Sequence, residues 1–245
     1  MPRSDATPHV DRVLIEAVRA ALLDAADPAK APAMQAYMKS VMPYLGVTNP
    51  ERARVLRPVF AAHHLDTFEA WRDTMLALWR EATHREERYA ALSIASRREY
   101  AHNVTREALT VFEEFIVTGA WWDYVDETSQ LVGAILRDER AWMTRAMRAW
   151  SRDEDMWKRR VSIICQLKFK SDTDLDLLYA CIEANLDDRA FFIRKAIGWA
   201  LRQHAWTDPD EVVRYVRAHA DRLSPLSKRE ALKNVLKSGR IEGIP

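Results

Sequence analysis

Three segments of this 245-residue chain place chemically able side chains at helical spacing. In Trp121-Trp122-Asp123-Tyr124-Val125-Asp126, an aromatic and a carboxylate, Trp122 and Asp126, stand four residues apart. On a helix that spacing sets them side by side. Trp121, Tyr124, Val125, Leu131, Val132, Ile135 and Leu136 form the apolar stripe of the same helix, and Trp122 and Asp126 fall off it. Ser129 and Gly133 continue their row with small residues, as a groove floor would. The alternative is that Trp122 packs on a neighbouring helix while Asp126 caps or pairs. In Trp157-Lys158-Arg159-Arg160-Val161, Arg160 lies inside the apolar arc of Trp157, Ile163, Ile164 and Leu167. An arginine there is either paired or functional, because an unpaired buried charge is very costly. Asp126 is a natural partner for a fork-to-carboxylate pair. Lys158 and Arg159 face elsewhere and are available to phosphates. In Phe191–Arg202 the core face is Phe192, Ile193, Ala196, Ile197, Ala200 and Leu201, and Trp199 sits at its edge between Lys195 and Arg202. An aromatic between two cations fits a nucleic-acid surface, the cations for phosphate and the ring for sugar or base. It equally describes a core-edge tryptophan among solvated charges.

The elements that position these residues are helices. With 48% hydrophobic residues the chain can bury a real core, and six glycines are few for a β-rich or nucleotide-loop fold. Helical periodicity predicts segments near 9–25, 30–43, 50–62, 66–80, 84–102, 106–118, 121–137, 139–149, 154–169, 173–186, 189–205, 209–220 and 225–238. Asp208-Pro209 and Ser224-Pro225 are helix-start signals. Many short helices with short connections predict an all-α, HEAT-like helical repeat solenoid, a single domain over 1–245 with residues 1–8 either disordered or docked. Such a fold offers a concave surface to a duplex or a partner helix.

Several function classes are excluded. The chain has no Walker loop, no dinucleotide fingerprint, no HExxH and no CxxC pair, so neither a metal nor another cofactor is expected. Two cysteines, Cys165 and Cys181, make no disulfide framework and suit a reducing compartment. No apolar run reaches membrane-spanning length, and the N-terminus lacks a signal-peptide core, which predicts a cytoplasmic protein. The net charge of +1 is unlike that of a strongly basic nucleic-acid binder, so any DNA surface must be local.

Over residues 30–240 the sequence resembles the AlkD-like DNA glycosylases. The strings that carry the likeness are MQAYMKSVMPYLGV, TNPERAR, AWWDYVD, RRVSIICQLKFK, FFIRKAIGWALR and LSPLSKREALK. The resemblance implies a HEAT-like fold with a concave DNA-binding cleft and hydrolysis of the N-glycosidic bond of cationic alkylated purines, of the 3-methyladenine or 7-methylguanine type. It places the catalytic carboxylate on Asp126, the cleft aromatics on Trp122 and Trp199, and the partner arginine on Arg160. Arg159 is the alternative for that arginine, one position away. Tyr37 falls on a tyrosine of the cleft, Lys168 and Arg202 on backbone-contacting positions. Arg52 is retained in TNPERAR, whereas Ala53 stands where a second basic residue is expected. Lys195 and Arg159 complete the expected DNA-facing set.

The chemistry so implied needs no protonation of the leaving base, which already carries positive charge. Asp126 would stabilise the oxocarbenium-like sugar and orient a water at C1′. Trp122 and Trp199 would pack against the electron-poor sugar. No lysine is evidently placed as a Schiff-base nucleophile, so a monofunctional, monomeric enzyme is expected, with duplex DNA bearing alkylated purines as its partner. The alternative is a non-catalytic HEAT-like module that binds DNA or protein, since fold alone does not prove function.

Overall fold

The structure, a computed structural model, describes residues 9–244. Residues 1–8, whose order the sequence leaves open, lie outside the described residues. Thirteen α-helices and three short 3-10 turns make up the regular structure, with no strand among the described residues. The chain divides between Val111 and Phe112 into two compact units.

The first unit holds α1 (Arg12–Asp24), α2 (Ala31–Met38), α3 (Asn49–Ala62), α4 (Phe68–Arg80) and α5 (Arg85–Ala95). Asp11 caps α1 by accepting from the Leu14 N–H at 2.8 Å, and Leu14, Ile15, Val18 and Leu22 give the helix its buried stripe. Two predicted helices are longer than those found. The segment predicted over 30–43 stops at Met38, because Lys39 turns left-handed at φ 49° and ends the hydrogen-bond ladder. The segment predicted over 84–102 breaks at Ser96, and Arg98–Asn103 continues as a 3-10 turn. Between α2 and α3 the backbone amides of Leu45, Gly46 and Val47 all donate to the fully buried Glu86 carboxylate at 3.0–3.1 Å. Gly46 is required there, since its φ is +86° and a Cβ would strike the Asp27 carbonyl.

The second unit begins within α6 (Leu109–Gly119) and continues through α7 (Trp122–Asp138), α8 (Arg140–Trp150), α9 (Met156–Ile164), α10 (Leu175–Glu183), α11 (Phe191–His204), α12 (Pro209–Ala218) and α13 (Pro225–Lys237). Asp155, Asp174, Asp208 and Ser224 cap their helices with side-chain oxygens, and Pro209 and Pro225 stand at the first helical position, as the sequence signals. Packing follows chain order. α7 touches α9, α9 touches α11 and α11 touches α13, so the odd-numbered helices form one continuous layer. The even-numbered helices lie against it, α8 on α7 and α9, α12 on α11 and α13. Contact limited to near neighbours is the signature of a helical repeat. Every residue singled out above on α7, α9 and α11 belongs to the odd-numbered layer.

Candidate active site

Asp126 and Arg160 meet across α7 and α9. The guanidinium donates Nε–H to Asp126 Oδ1 at 2.7 Å and Nη2–H to Oδ2 at 2.8 Å, a two-pronged fork. Its remaining nitrogen, Nη1, donates at 2.6 Å to the carbonyl of Phe192 in the first turn of α11. One side chain thus ties three consecutive helices of the layer together. Arg160, rather than Arg159, is the arginine of the pair, and it is only 3% exposed. Asp126 keeps 18% of its side chain in solvent, and each of its oxygens has a lone pair not used by the fork. Burial raises the Asp126 carboxyl above the ordinary carboxylate range; the bonds and charge of Arg160 pull it back, and the nearby Asp123 adds a smaller upward push.

The row beneath Asp126 is not open. Ser129 is fully buried and donates to the Asp126 carbonyl at 2.7 Å. Gly133 lies so close to the Cys165 carbonyl, at the end of α9, that a Cβ would collide with it. What the row of small residues receives is α9 itself. Glycine at 133 is what lets α9 approach near enough for Arg160 to reach Asp126.

The four tryptophans of the region divide in two. Trp121, Trp157 and Phe192 form a packed triangle with ring centroids 5.0–6.3 Å apart, and the buried Trp121 N–H finds no hydrogen-bond acceptor there. Such pairs add about 0.5–1.5 kcal/mol each beyond area burial, so this triangle is a wall that fixes α7 against α9 and α11. Trp122 and Trp199 are partly exposed and take no part in it. Trp122 is the first residue of α7, one turn before Asp126. Trp199 is seven residues, two turns, beyond Phe192 on the same face of α11.

The candidate cations are placed as follows. Lys195 and Arg202 both bind Glu230 of α13, each at 2.6 Å, one to each carboxylate oxygen. Burial pushes the Glu230 carboxyl up, but the two cations outweigh it and hold it below its usual range. Arg159 pairs with Asp188 at 3.0 Å and donates to the carbonyls of Asp153 and Glu154. Lys158 lies between Glu113 and Asp153 at 2.7 and 2.6 Å. Lys168 is exposed on the turn after α9. In the first unit Tyr37 is 76% exposed on α2, whereas Arg52 is buried, donates to Asn49 and lies 4.6 Å above the Tyr89 ring.

Spacing alone missed two members. The Phe192 carbonyl that anchors Arg160 is a backbone group 32 residues away, which no side-chain pattern announces. Glu230 has one indirect signal: Gly198, inside α11, marks a close approach, and a Cβ there would come within 2.5 Å of Glu230 Cβ. Neither cysteine offers a competing nucleophile, since both are buried and burial pushes both thiols up, Cys181 to about 11. Among the described residues no His, Cys, Asp and Glu side chains cluster as a metal site, and no helix is long and apolar enough to cross a membrane.

A family model described as DNA alkylation repair enzyme matches residues 18–235, a span that includes every site residue named above. The solved structure of a predicted DNA alkylation repair enzyme from Enterococcus faecalis superposes with a TM-score of 0.78 at 30% sequence identity, over 86% of this chain and 97% of that one. No curated protein matches the chain. The match across nearly the whole sequence, together with the agreement in fold, means that this chain belongs to the DNA alkylation repair enzyme family.

Proposed function

We propose that the protein is a monofunctional DNA glycosylase that hydrolyses the N-glycosidic bond of cationic alkylated purines, of the 3-methyladenine or 7-methylguanine type, in duplex DNA. The observation that carries this reading is the partly exposed Asp126 carboxylate, held from behind by a buried arginine fork and set one helical turn from the partly exposed Trp122. A carboxylate fixed in this way needs no reorganisation when charge develops in front of it.

In the proposed reaction the C1′–N bond lengthens and its electron pair moves onto the base, cancelling the positive charge of the lesion. The base therefore leaves without an acid. Positive charge appears on the deoxyribose, where Asp126 stabilises it and Trp122 and Trp199 offer their π-faces. A water oriented by the free lone pair of Asp126 adds to C1′, and its proton passes to the carboxylate or to solvent. Arg160 acts as a positioning residue. Its three bonds to Asp126 and Phe192, together with its burial, favour holding the carboxylate over gripping a phosphate.

The test is release of 7-methylguanine from a duplex carrying one lesion, by the wild type and by Asp126→Asn. Loss of one charge aimed at the transition state is expected to slow release by about 10²–10³-fold, with duplex binding retained. The variant should fold, because burial already favours a neutral side chain at this position. Absence of release by the wild type on both N7- and N3-methylated duplexes, with binding intact, would replace the glycosylase by a DNA-binding module.

A further inference from the structure

The row on α7 continues beyond the site. Trp122, Asp126, Ser129, Gly133 and Arg137 succeed one another at four, three, four and four residues. α9 and the turn after it meet this row repeatedly: Arg160 at Asp126, the Cys165 carbonyl at Gly133, and the Lys168 carbonyl at Arg137, whose Nη2 donates to it at 2.9 Å. The Arg137 guanidinium also lies 4.5 Å from the centre of the Phe169 ring. Arg140, which opens α8, donates Nη2 to the Asp172 carbonyl at 3.1 Å, at the other end of the same turn. The turn itself carries Lys168 and Lys170, and Lys170 stands at φ 54°. Two arginines therefore grip the turn by its carbonyls, and two lysines stand on it.

All four cations are exposed, and none has a carboxylate within ion-pair distance among the described residues. Asp172, the one acid on the turn, is exposed and pairs with none of them. This sets the cluster apart from the other cations named for this unit. Lys195 and Arg202 share Glu230, Arg159 is matched by Asp188, and Lys158 by Glu113 and Asp153. Carbonyl contacts fix the geometry of the turn without cancelling its charge. Exposed like charges held together repel one another, and an anion that binds among them relieves the repulsion. In a chain whose net charge is only +1, this is the kind of local cationic site a DNA-binding surface requires.

We propose that the Lys168–Asp172 turn and the α7–α8 corner form a phosphate-binding site for the DNA backbone, in which Lys168, Lys170 and Arg140 contact phosphates and Arg137 positions the turn. The site rests on the reading of the protein as one that acts on duplex DNA. Eleven residues of α7 separate Arg137 from Asp126, about 16 Å at 1.5 Å per residue. The phosphates bound here accordingly lie several base pairs from the nucleotide at Asp126 and fix the register of the duplex, with no part in bond cleavage.

The experiment is a titration of the full chain with an undamaged duplex at several salt concentrations, for wild type, Lys168→Gln, Lys170→Gln, Arg140→Gln and, as control, Arg217→Gln on α12. Each of the first three variants should weaken binding and make the slope of log K against log salt shallower by about 0.9, the value of one phosphate contact; Arg217→Gln should leave it unchanged. Matching Tm values check that the surface substitutions leave the fold intact. Unaltered slopes in all three, in a protein that still releases 7-methylguanine, overturn the site and leave the glycosylase reading standing. Shallower slopes in a protein that releases no base support the site and overturn the glycosylase. A wild type with no salt-dependent duplex binding overturns both.

Discussion

Arg160 contributes two separable things to Asp126, a charge and a geometry, and two substitutions divide them. Excision requires the carboxylate to be ionised, so activity falls as pH drops through its titration. Burial places that fall above the ordinary carboxylate range, and Arg160 restrains it. Arg160→Gln removes the restraining charge. An opposite charge at hydrogen-bond distance lowers a carboxylate by about one to three pH units, so the acid limb of the single-turnover rate should climb by about that much. The sign is fixed: losing a cation makes the anion harder to form, and the limb moves up. Arg160→Lys keeps the charge but offers an ammonium in place of a planar fork that reaches both Asp126 oxygens and the Phe192 carbonyl. Its limb should stay close to that of wild type while the plateau rate falls by about tenfold or more, because the carboxylate is no longer held. Both variants should lower Tm. Breaking a buried pair from one side costs about 3–5 kcal/mol, with the lower end expected here because Asp126 is 18% exposed. The assay is single-turnover release of 7-methylguanine from pH 4.5 to 8, below the melting temperature of each variant. An Arg160→Gln limb that coincides with the wild-type limb would show that Asp126 is not the group whose ionisation the reaction needs.

Gly133→Ala should lower Tm by an amount equivalent to about 1–3 kcal/mol, the usual cost of overpacking, since its Cβ would meet the Cys165 backbone. It should also reduce excision by pushing α9, and with it Arg160, off Asp126; an unchanged Tm would mean that the two helices separate freely. Glu211, bound by Arg214 and by the Tyr179 hydroxyl at 2.6 Å, is lowered to about 2. A depressed carboxylate stabilises the fold above its unfolded-state pKa, and that contribution fades as pH falls from the ordinary carboxylate range towards 2. The wild-type Tm should therefore drop more steeply than that of Glu211→Gln over this interval, by a modest amount given the solvent around Arg214, and parallel curves would count against the linkage.

The local features of this chain were legible in one dimension. Helix type follows from apolar periodicity, and helix starts follow from Asp-Pro and Ser-Pro, because both depend on interactions within a few residues. The Arg160 position inside an apolar arc was enough to demand a buried partner, and the helical row holding Asp126 was enough to suggest which one. Helix ends were less legible. Lys39 and Ser96 stop their helices although neither is glycine or proline, since tertiary anchors such as Glu86 decide where the chain must turn. The row of Ser129 and Gly133 shows the limit most plainly: small residues announce a close approach without saying whether a ligand or another helix makes it, and only packing answers that α9 does. The same holds for charge. Lys195, Arg202 and Lys168 look alike in sequence, but Glu230, 28 residues from Arg202, pairs with the first two while Lys168 keeps its charge. Sequence by itself determined which side chains share a face, because helical geometry is local; the tertiary structure alone decided which of them are matched, buried or left exposed, because partners and solvent arrive from distant parts of the chain.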